Sequence, residues 1–197
     1  MNVTRLIIVA VGGQGNLLAS RVLGEAALQA GIPVRMSEIH GMAQRGGVVE
    51  SAIVFGDAKS TIISDGEADI LLGFEPAETL RAMNKCNPKT LVITSLSPLP
   101  PFTVAIGKGK YPDLDFIQAT IRRKTAKLIA FDAVALAKQA GNVLSVNMVL
   151  VGALIQTGML PLTVENVKDA IRSRIKKTLV ENNLKAFELG FQTAQTS

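Results

Sequence analysis

Leu6-Ile7-Ile8-Val9-Ala10-Val11 runs into Gly12-Gly13-Gln14-Gly15, and this stretch decides the fold. Six apolar residues, several of them β-branched, show no polar alternation. That pattern fits a strand buried on both faces, as in a parallel sheet. The glycines end it and open a helix. Leu18, Val22 and Ala26 share one face of that helix, with Leu23 and Ala27 beside them. Gly31 suits the left-handed C-terminal position, and Pro33 lies just beyond. Val34-Arg35-Met36-Ser37 then reads as a short second strand. Strand, glycine turn, helix and strand make a βαβ unit.

The turn is also a candidate site. A dinucleotide fingerprint is G-x-G-x-x-G with an acidic residue about 20 positions on. Here the register is Ala10-x-Gly12-x-x-Gly15, and Glu38 falls slightly late. The match is partial. Gly12, Gly13, Gln14 and Gly15 sit where a helix N-terminus exposes backbone N–H groups, so they could hold a cofactor's anionic or polar group. The same glycines equally suit close strand–helix packing, and the sequence leaves both readings open.

Residues 37–50, Ser-Glu-Ile-His-Gly-Met-Ala-Gln-Arg-Gly-Gly-Val-Val-Glu, carry the only His of the chain. No helix period survives Gly41, Gly46 and Gly47, and no strand alternation precedes Val48. The run reads as a shaped loop, whose backbone visits conformations that glycine tolerates most cheaply. Loops on a rigid scaffold are where binding residues gather.

Further along, Val48–Phe55, Ala68–Phe74, Leu91–Thr94 and Lys127–Phe131 read as strands. A helix starting at Glu75-Pro76 is expected to stop at Asn87-Pro88, with Cys86 closing it. Residues 95–115 are rich in Pro and Gly, with Val104-Ala105-Ile106 as an expected edge strand. Residues 114–126 read as a helix. Asp132 suits the cap of another over 133–140, ended by Gly141. Ser145–Thr157 is apolar on nearly every face and reads as a buried helix in which Asn147 needs a partner. Thr163 caps a final helical region that reads as ending at Gly190, with a frayed tail from Gln192 to Ser197. The expected fold is α/β: a three-layer α/β/α sandwich on a Rossmann-like, mostly parallel sheet, mixed if a strand reverses. Residues 1–197 read as one domain, with a C-terminal helical part from about residue 145 to 190.

Composition removes several function classes. Apolar residues are 48 % of 197, aromatics only 4 %, and there is no Trp. Few aromatic faces argue against a base-stacking nucleic-acid platform. The formal charge of +5 gathers in two knots, Arg122, Arg123, Lys124, Lys127 and Lys168, Arg172, Arg174, Lys176, Lys177. Solvated helix faces account for both. Cys86 is the single cysteine, whereas a cluster or structural zinc takes about four ligands. No metal site or internal disulfide is expected. The N-terminus has no signal-peptide layout. The uncharged span 139–164 is interrupted by Gly, Asn and Pro, so no membrane span is expected, and the chain reads as cytoplasmic.

The string Ser37–Gly47, following the Gly-Gly-Gln-Gly turn, resembles the gamma-type subunits of 2-oxoacid:ferredoxin oxidoreductases. Among them it is most similar to the small (beta) subunit of indolepyruvate ferredoxin oxidoreductase. Leu71–Pro76, Asn147–Leu154 and Glu181–Gly190 resemble the family's later blocks, so the likeness spans nearly the whole chain. The family's turn is usually Gly-x-Gly-Gly-Gln-Gly, and this chain departs from it at Ala10.

The resemblance implies a subunit that is inactive alone, with no catalytic residue and no cofactor of its own. A large alpha-type partner would carry thiamine diphosphate, magnesium and [4Fe-4S] clusters. The complex would convert a 2-oxoacid (an aryl pyruvate such as indolepyruvate) and coenzyme A to acyl-CoA, and would reduce ferredoxin. Asp65-Gly66 lacks the leading Gly of a metal-diphosphate motif, and Asn182-Asn183 lies too far along the chain to complete one. By the same likeness Glu38, His40, Gly41, Met42, Gln44, Arg45, Gly46 and Gly47 face the partner and its active site. Isolated, the chain could self-associate. A stand-alone nucleotide- or CoA-binding module is the alternative, in which the Gly12–Gly15 turn holds the ligand.

Overall fold

The computed structural model describes residues 3–41, 47–101, 104 and 106–196, and for His40 its backbone. Strand β1 (Thr4–Val11) sits inside a six-stranded sheet. The others are β2 (Val34–His40), β3 (Val48–Phe55), β4 (Ala68–Gly73), β5 (Cys86–Ser95) and β6 (Lys127–Phe131), in the order β2-β3-β1-β4-β5-β6. β1 pairs with β4 in parallel and with β3 antiparallel, from Thr4↔Phe55 to Val11↔Val48. The sheet is therefore mixed, with β3 as its reversed strand. The βαβ unit is present as a wide crossover: helix α1 (Asn16–Gln29) carries the chain from β1 to β2, and β3 returns into the gap between them.

Strand period 2 explains the layers. Leu6, Ile8, Ala10, Ile53, Ile70, Leu72 and Ile93 enter one core. Ile7, Val9, Val54, Leu71 and Val92 enter the other. Both faces of β1 are dry, which is why its sequence lacks alternation. The second core is closed by helix α3 (Leu114–Lys124), through Ile117 and Ile121, and by Ala82 and Met83 after the short helix α2 (Pro76–Arg81). The first is closed by α1, α4 (Ala133–Gln139), α5 (Val146–Gln156), α6 (Val164–Arg174) and α7 (Lys177–Gln195). Each fully buried Leu or Ile contributes about 1.5–3 kcal/mol, so β1 anchors both cores at once.

Asp132 caps α4 by accepting from Ala135 N at 2.9 Å, as its position suggests. Thr163 forms a reciprocal capping box with Asn166 at the start of α6. α5 is buried from Val146 to Ile155. No helix among the described residues is long and apolar enough to cross a membrane.

Several boundaries differ from expectation, each for a physical reason. β2 continues through Ser37 to His40, because β3 pairs its backbone as far as His40↔Val49; an edge strand needs no apolar alternation to stay extended. The helix expected to reach Asn87 ends at Arg81, and a 3-10 turn (Ala82–Lys85) follows. Cys86 opens β5 rather than closing a helix. Pro88 is tolerated there because the register slips between Ala68↔Cys86 and Ile70↔Leu91. Side chains satisfy the slipped backbone: Thr90 Oγ1 donates to Ala68 O at 2.6 Å and Asn87 Nδ2 to Gly66 O at 2.8 Å. The edge strand expected over Val104-Ala105-Ile106 is seen at neither Val104 nor Ile106, and Ala105 lies outside the described residues. Val104 is helical, and its carbonyl accepts from Gly107 N at 3.0 Å. The tail is ordered helix as far as Gln195, with Ala194 buried.

Gly190 is not a helix end. α7 runs straight through it, because α5 and α7 cross at Gly152 and Gly190. A Cβ on Gly152 would overlap the Phe187 carbonyl, and one on Gly190 the Val149 carbonyl. Backbone cannot swing aside as a flexible side chain does. Gly152→Ala and Gly190→Ala should each lower stability by about 1–3 kcal/mol or more in urea denaturation. Full retention of stability by either would show that the helices can separate freely.

Candidate functional site at the carboxyl rim of the sheet

Five strands run the same way and end at Val11, His40, Gly73, Ser95 and Phe131. In open α/β sheets ligands bind outside the carboxyl ends of the strands, where the chain direction of travel switches. Here the switch lies between β1, which leads toward β2, and β4, which leads toward β5. The Gly12–Gly15 turn stands at that point.

The turn's residues divide by role. Gly15 has φ 84°, caps α1, and is pressed against Asn147, whose Nδ2 would stand 2.6 Å from an added Cβ. Asn147 finds its partners here, donating to Gly15 O at 3.3 Å and accepting from Met148 N at 2.9 Å. Gln14 is a stitch. Its Oε1 accepts from Val11 N at 2.8 Å and its Nε2 donates to Phe74 O at 3.3 Å, tying the ends of β1 and β4 together. Gly12 N donates to Gly47 O at 2.8 Å, which joins the turn to the end of the His40-containing stretch. Gly13, at φ 100°, faces open space. Close packing thus explains Gly15 and Gln14, and only Gly13 is left free to approach a ligand.

Two clefts flank Gly13. One, of about 440 Å³, lies between Leu17, Arg21 and Val49. The other, of about 310 Å³, is apolar and lies between Gln14, Leu99, Val143 and Leu144. Leu144 is 70 % exposed, and Leu99 and Val143 are each 46 % exposed.

The stretch from Glu38 to Gly47 is reached from both sides. Glu38 is exposed on β2 opposite Ser51. Because residues 37–40 are extended, positions 38 and 40 share one side of the strand. Gly41 N donates to Val48 O at 2.8 Å and closes the base of the loop. Met42, Gln44, Arg45 and Gly46 lie outside the described residues, as does the side chain of His40.

Two polar groups escaped sequence reading. Asn16, 3 % exposed, donates to Val49 O at 3.0 Å and accepts from Ser51 Oγ at 2.9 Å, pinning the start of α1 to β3. Glu75 is 1 % exposed and caps α2, its Oε2 accepting from Glu78 N at 2.9 Å. Its other oxygen accepts from Leu99 N at 3.2 Å and from the Tyr111 hydroxyl. A polar residue directly after the strand end, followed by Pro76, was the available signal. Glu78 is also buried, with Oε1 on Arg81 and Oε2 without a partner among the described residues. Burial raises the pKa of Glu78 and the charge of Glu75 adds to the effect, while Arg81 opposes it. Tyr111 is raised too, first by burial and then by its bond to Glu75.

Burial pushes the Cys86 thiol up to about 11, with Thr90 pulling weakly the other way. Among the described residues no group of three or more His, Cys, Asp and Glu could hold a metal. Asp65 is bonded to Asn84 and Lys85 instead. Among the described residues, then, no donor set suits an iron–sulfur cluster or a metal-diphosphate. The second basic knot is largely ion-paired: Lys168 to Glu188, Arg172 to Asp169 and Arg174 to Glu25.

The chain matches the pyruvate ferredoxin/flavodoxin oxidoreductase family over residues 5–193, and it belongs to that family. It is 44 % identical, over 96 % of its length and 95 % of the relative's, to the indolepyruvate oxidoreductase subunit IorB of Pyrococcus horikoshii. A keto/oxoacid ferredoxin oxidoreductase gamma subunit from Geobacter sulfurreducens has the same fold, with TM-score 0.73, 24 % identity and 98 % and 99 % coverage of the two chains. The 2-oxoglutarate:ferredoxin oxidoreductase of Magnetococcus marinus contains the fold as 32 % of a longer chain, with TM-score 0.75, 18 % identity and all of this chain covered.

Two measurements test the site's electrostatics. A carboxyl raised in the folded state favours folding while protonated, and that contribution is lost as pH rises through its folded pKa. The Tm of Glu78→Gln relative to wild type should therefore climb between a pH below 4.5, the ordinary value, and neutrality; a flat difference would refute the raised pKa. Iodoacetamide at neutral pH should label Cys86 slowly in the folded chain and quickly in denaturant. Equal rates would show an accessible thiolate.

Proposed function

We propose that this chain is the small, gamma-type subunit of a 2-oxoacid:ferredoxin oxidoreductase acting on an aryl pyruvate such as indolepyruvate. The observation that carries the reading is the 44 % identity to an indolepyruvate oxidoreductase subunit along essentially the full length of both chains. The family match over residues 5–193 supports the same conclusion. Both cores lean on one sheet, which supports a single domain over residues 1–197.

The division of labour follows from chemistry. Decarboxylating a 2-oxoacid needs an electron sink, and passing its electrons to ferredoxin needs one-electron carriers. One half-buried thiol, with no convergent ligand group among the described residues, supplies neither. Thiamine diphosphate, magnesium, [4Fe-4S] clusters and the coenzyme A reaction therefore belong to a complex with a large alpha-type subunit, in the cytoplasm. This chain contributes a rigid rim. Gly12–Gly15 supports the 38–47 loop from below, through Gly12 N on Gly47 O. Arg45, with its planar fork, suits a carboxylate or phosphate across the interface. Glu38, His40 and Gln44 are the other hydrogen-bonding side chains of this stretch of sequence, and its glycines are the residue type that tolerates a close backbone approach.

The test is reconstitution with the large subunit encoded in the same organism. The two chains should copurify, and indolepyruvate-dependent reduction of ferredoxin should need both. His40→Ala and Arg45→Ala should each lower turnover by about tenfold or more, equivalent to ~1.4 kcal/mol, with the isolated chain's Tm unchanged. Unaltered assembly and turnover in both variants would remove the loop from the active-site region. If the chain does not bind the large subunit, and coenzyme A or a nucleotide alone raises its Tm, the binding-module reading takes its place.

A further inference from the structure

We infer that Glu75 is a positioning residue: its carboxylate latches Leu99 and Tyr111 and so sets the Pro98–Leu99 wall of the apolar cleft beside Gly13. Burying a carboxylate is expensive unless hydrogen bonds surround it. Capping a six-residue helix needs only one acceptor, and Ser or Asp would serve. Glu75 does more than cap. Oε2 serves Glu78 N, while Oε1 reaches out of the helix to Leu99 N at 3.2 Å and to the hydroxyl of Tyr111. The same hydroxyl accepts from Ala77 N at 3.2 Å, so Tyr111 is held from both sides.

Leu99 and Tyr111 lie between β5 and α3, outside the sheet pairing, which ends at Ser95↔Phe131. One buried group therefore fixes two points of that segment. The consequence appears at Leu99. Its backbone N–H is tied down while its side chain remains 46 % exposed on the cleft wall, opposite Val143 and Leu144. A fixed backbone that presents an exposed apolar side chain loses little entropy on contact. An amide cannot replace the latch, because glutamine has one accepting oxygen where the carboxylate has two. Glu75→Gln must give up either the helix cap or the two outward bonds. What the rim meets rests on the subunit reading above; the latch itself does not.

The experiment uses the full chain, alone and in the reconstituted complex. Tyr111 is the only tyrosine and there is no tryptophan, so ultraviolet-excited emission reports one ring. A phenol that donates to a carboxylate is quenched. Glu75→Gln should brighten Tyr111 and speed exchange of the Leu99 amide by about tenfold, with β1 amides unchanged. Tyr111→Phe keeps the cap and the Leu99 bond and covers the case in which Glu75→Gln fails to fold: it should speed exchange of the Ala77 amide, which loses its acceptor, and lower turnover, and unchanged turnover would free the cleft wall from Tyr111. In the complex, Glu75→Gln and Leu99→Ala should lower turnover, and the double variant should be no worse than the poorer single one, because both act through one wall. Unchanged emission and exchange in Glu75→Ala, which keeps neither oxygen, would overturn the latch; Glu75→Gln separates the cap from the outward bonds according to the side its one accepting oxygen serves. Altered emission with full turnover would reduce Glu75 to a structural cap. If wild type itself fails to assemble, the subunit reading falls, while emission and exchange still decide the latch.

Discussion

The pairing of β1 on both edges is the constraint on which everything else depends. Its backbone is held by β3 on one side and β4 on the other, and its side chains are shared between two cores. A strand so enclosed cannot shift register by one residue without exchanging the two cores. That rigidity gives the Gly12–Gly15 turn a defined position. Gln14 then extends it, since its two bonds lock the exits of β1 and β4 together.

The rim is built by borrowing from elements that are already rigid. Asn16 and Asn147 are buried amides on two helices, and each bonds backbone at the start of α1 or the edge of β3. Glu75 does the equivalent for the segment after β5. Such groups are costly to bury without partners, and here they connect loops to the scaffold. The outcome is a rim whose backbone is fixed and whose apolar side chains, Leu99, Val143 and Leu144, stay exposed. That arrangement presents a fixed, partly apolar surface at the carboxyl end of the sheet.

The α5–α7 crossing explains the one long uncharged stretch. Gly152 and Gly190 remove the side chains that would keep the helices apart, and α5 is then buried on all sides. Its apolar sequence is a consequence of depth within the protein. Three of the five basic residues of the second knot are paired with acidic neighbours, Lys168 with Glu188, Arg172 with Asp169 and Arg174 with Glu25.

The sequence by itself determined the α/β class, the strand–glycine turn–helix at residues 6–29, most of the strands, the cap at Asp132, the burial of residues 146–155 and the family. Those are local patterns: a run without alternation, a helical period, a cap residue, a motif. Only tertiary structure decided that β3 reverses and wedges between β1 and β2, that residues 37–40 are strand, that Cys86 begins β5 and that Gly190 is a helix crossing. Strand order depends on which partner supplies backbone hydrogen bonds, and an edge strand or a register slip takes its geometry from its neighbour. A glycine reads the same in sequence whether it ends a helix or admits one. Glu75 shows the limit most plainly: next to Pro76 it looks like an ordinary helix start, and only the fold brings Leu99 and Tyr111, 24 and 36 residues away, onto its carboxylate.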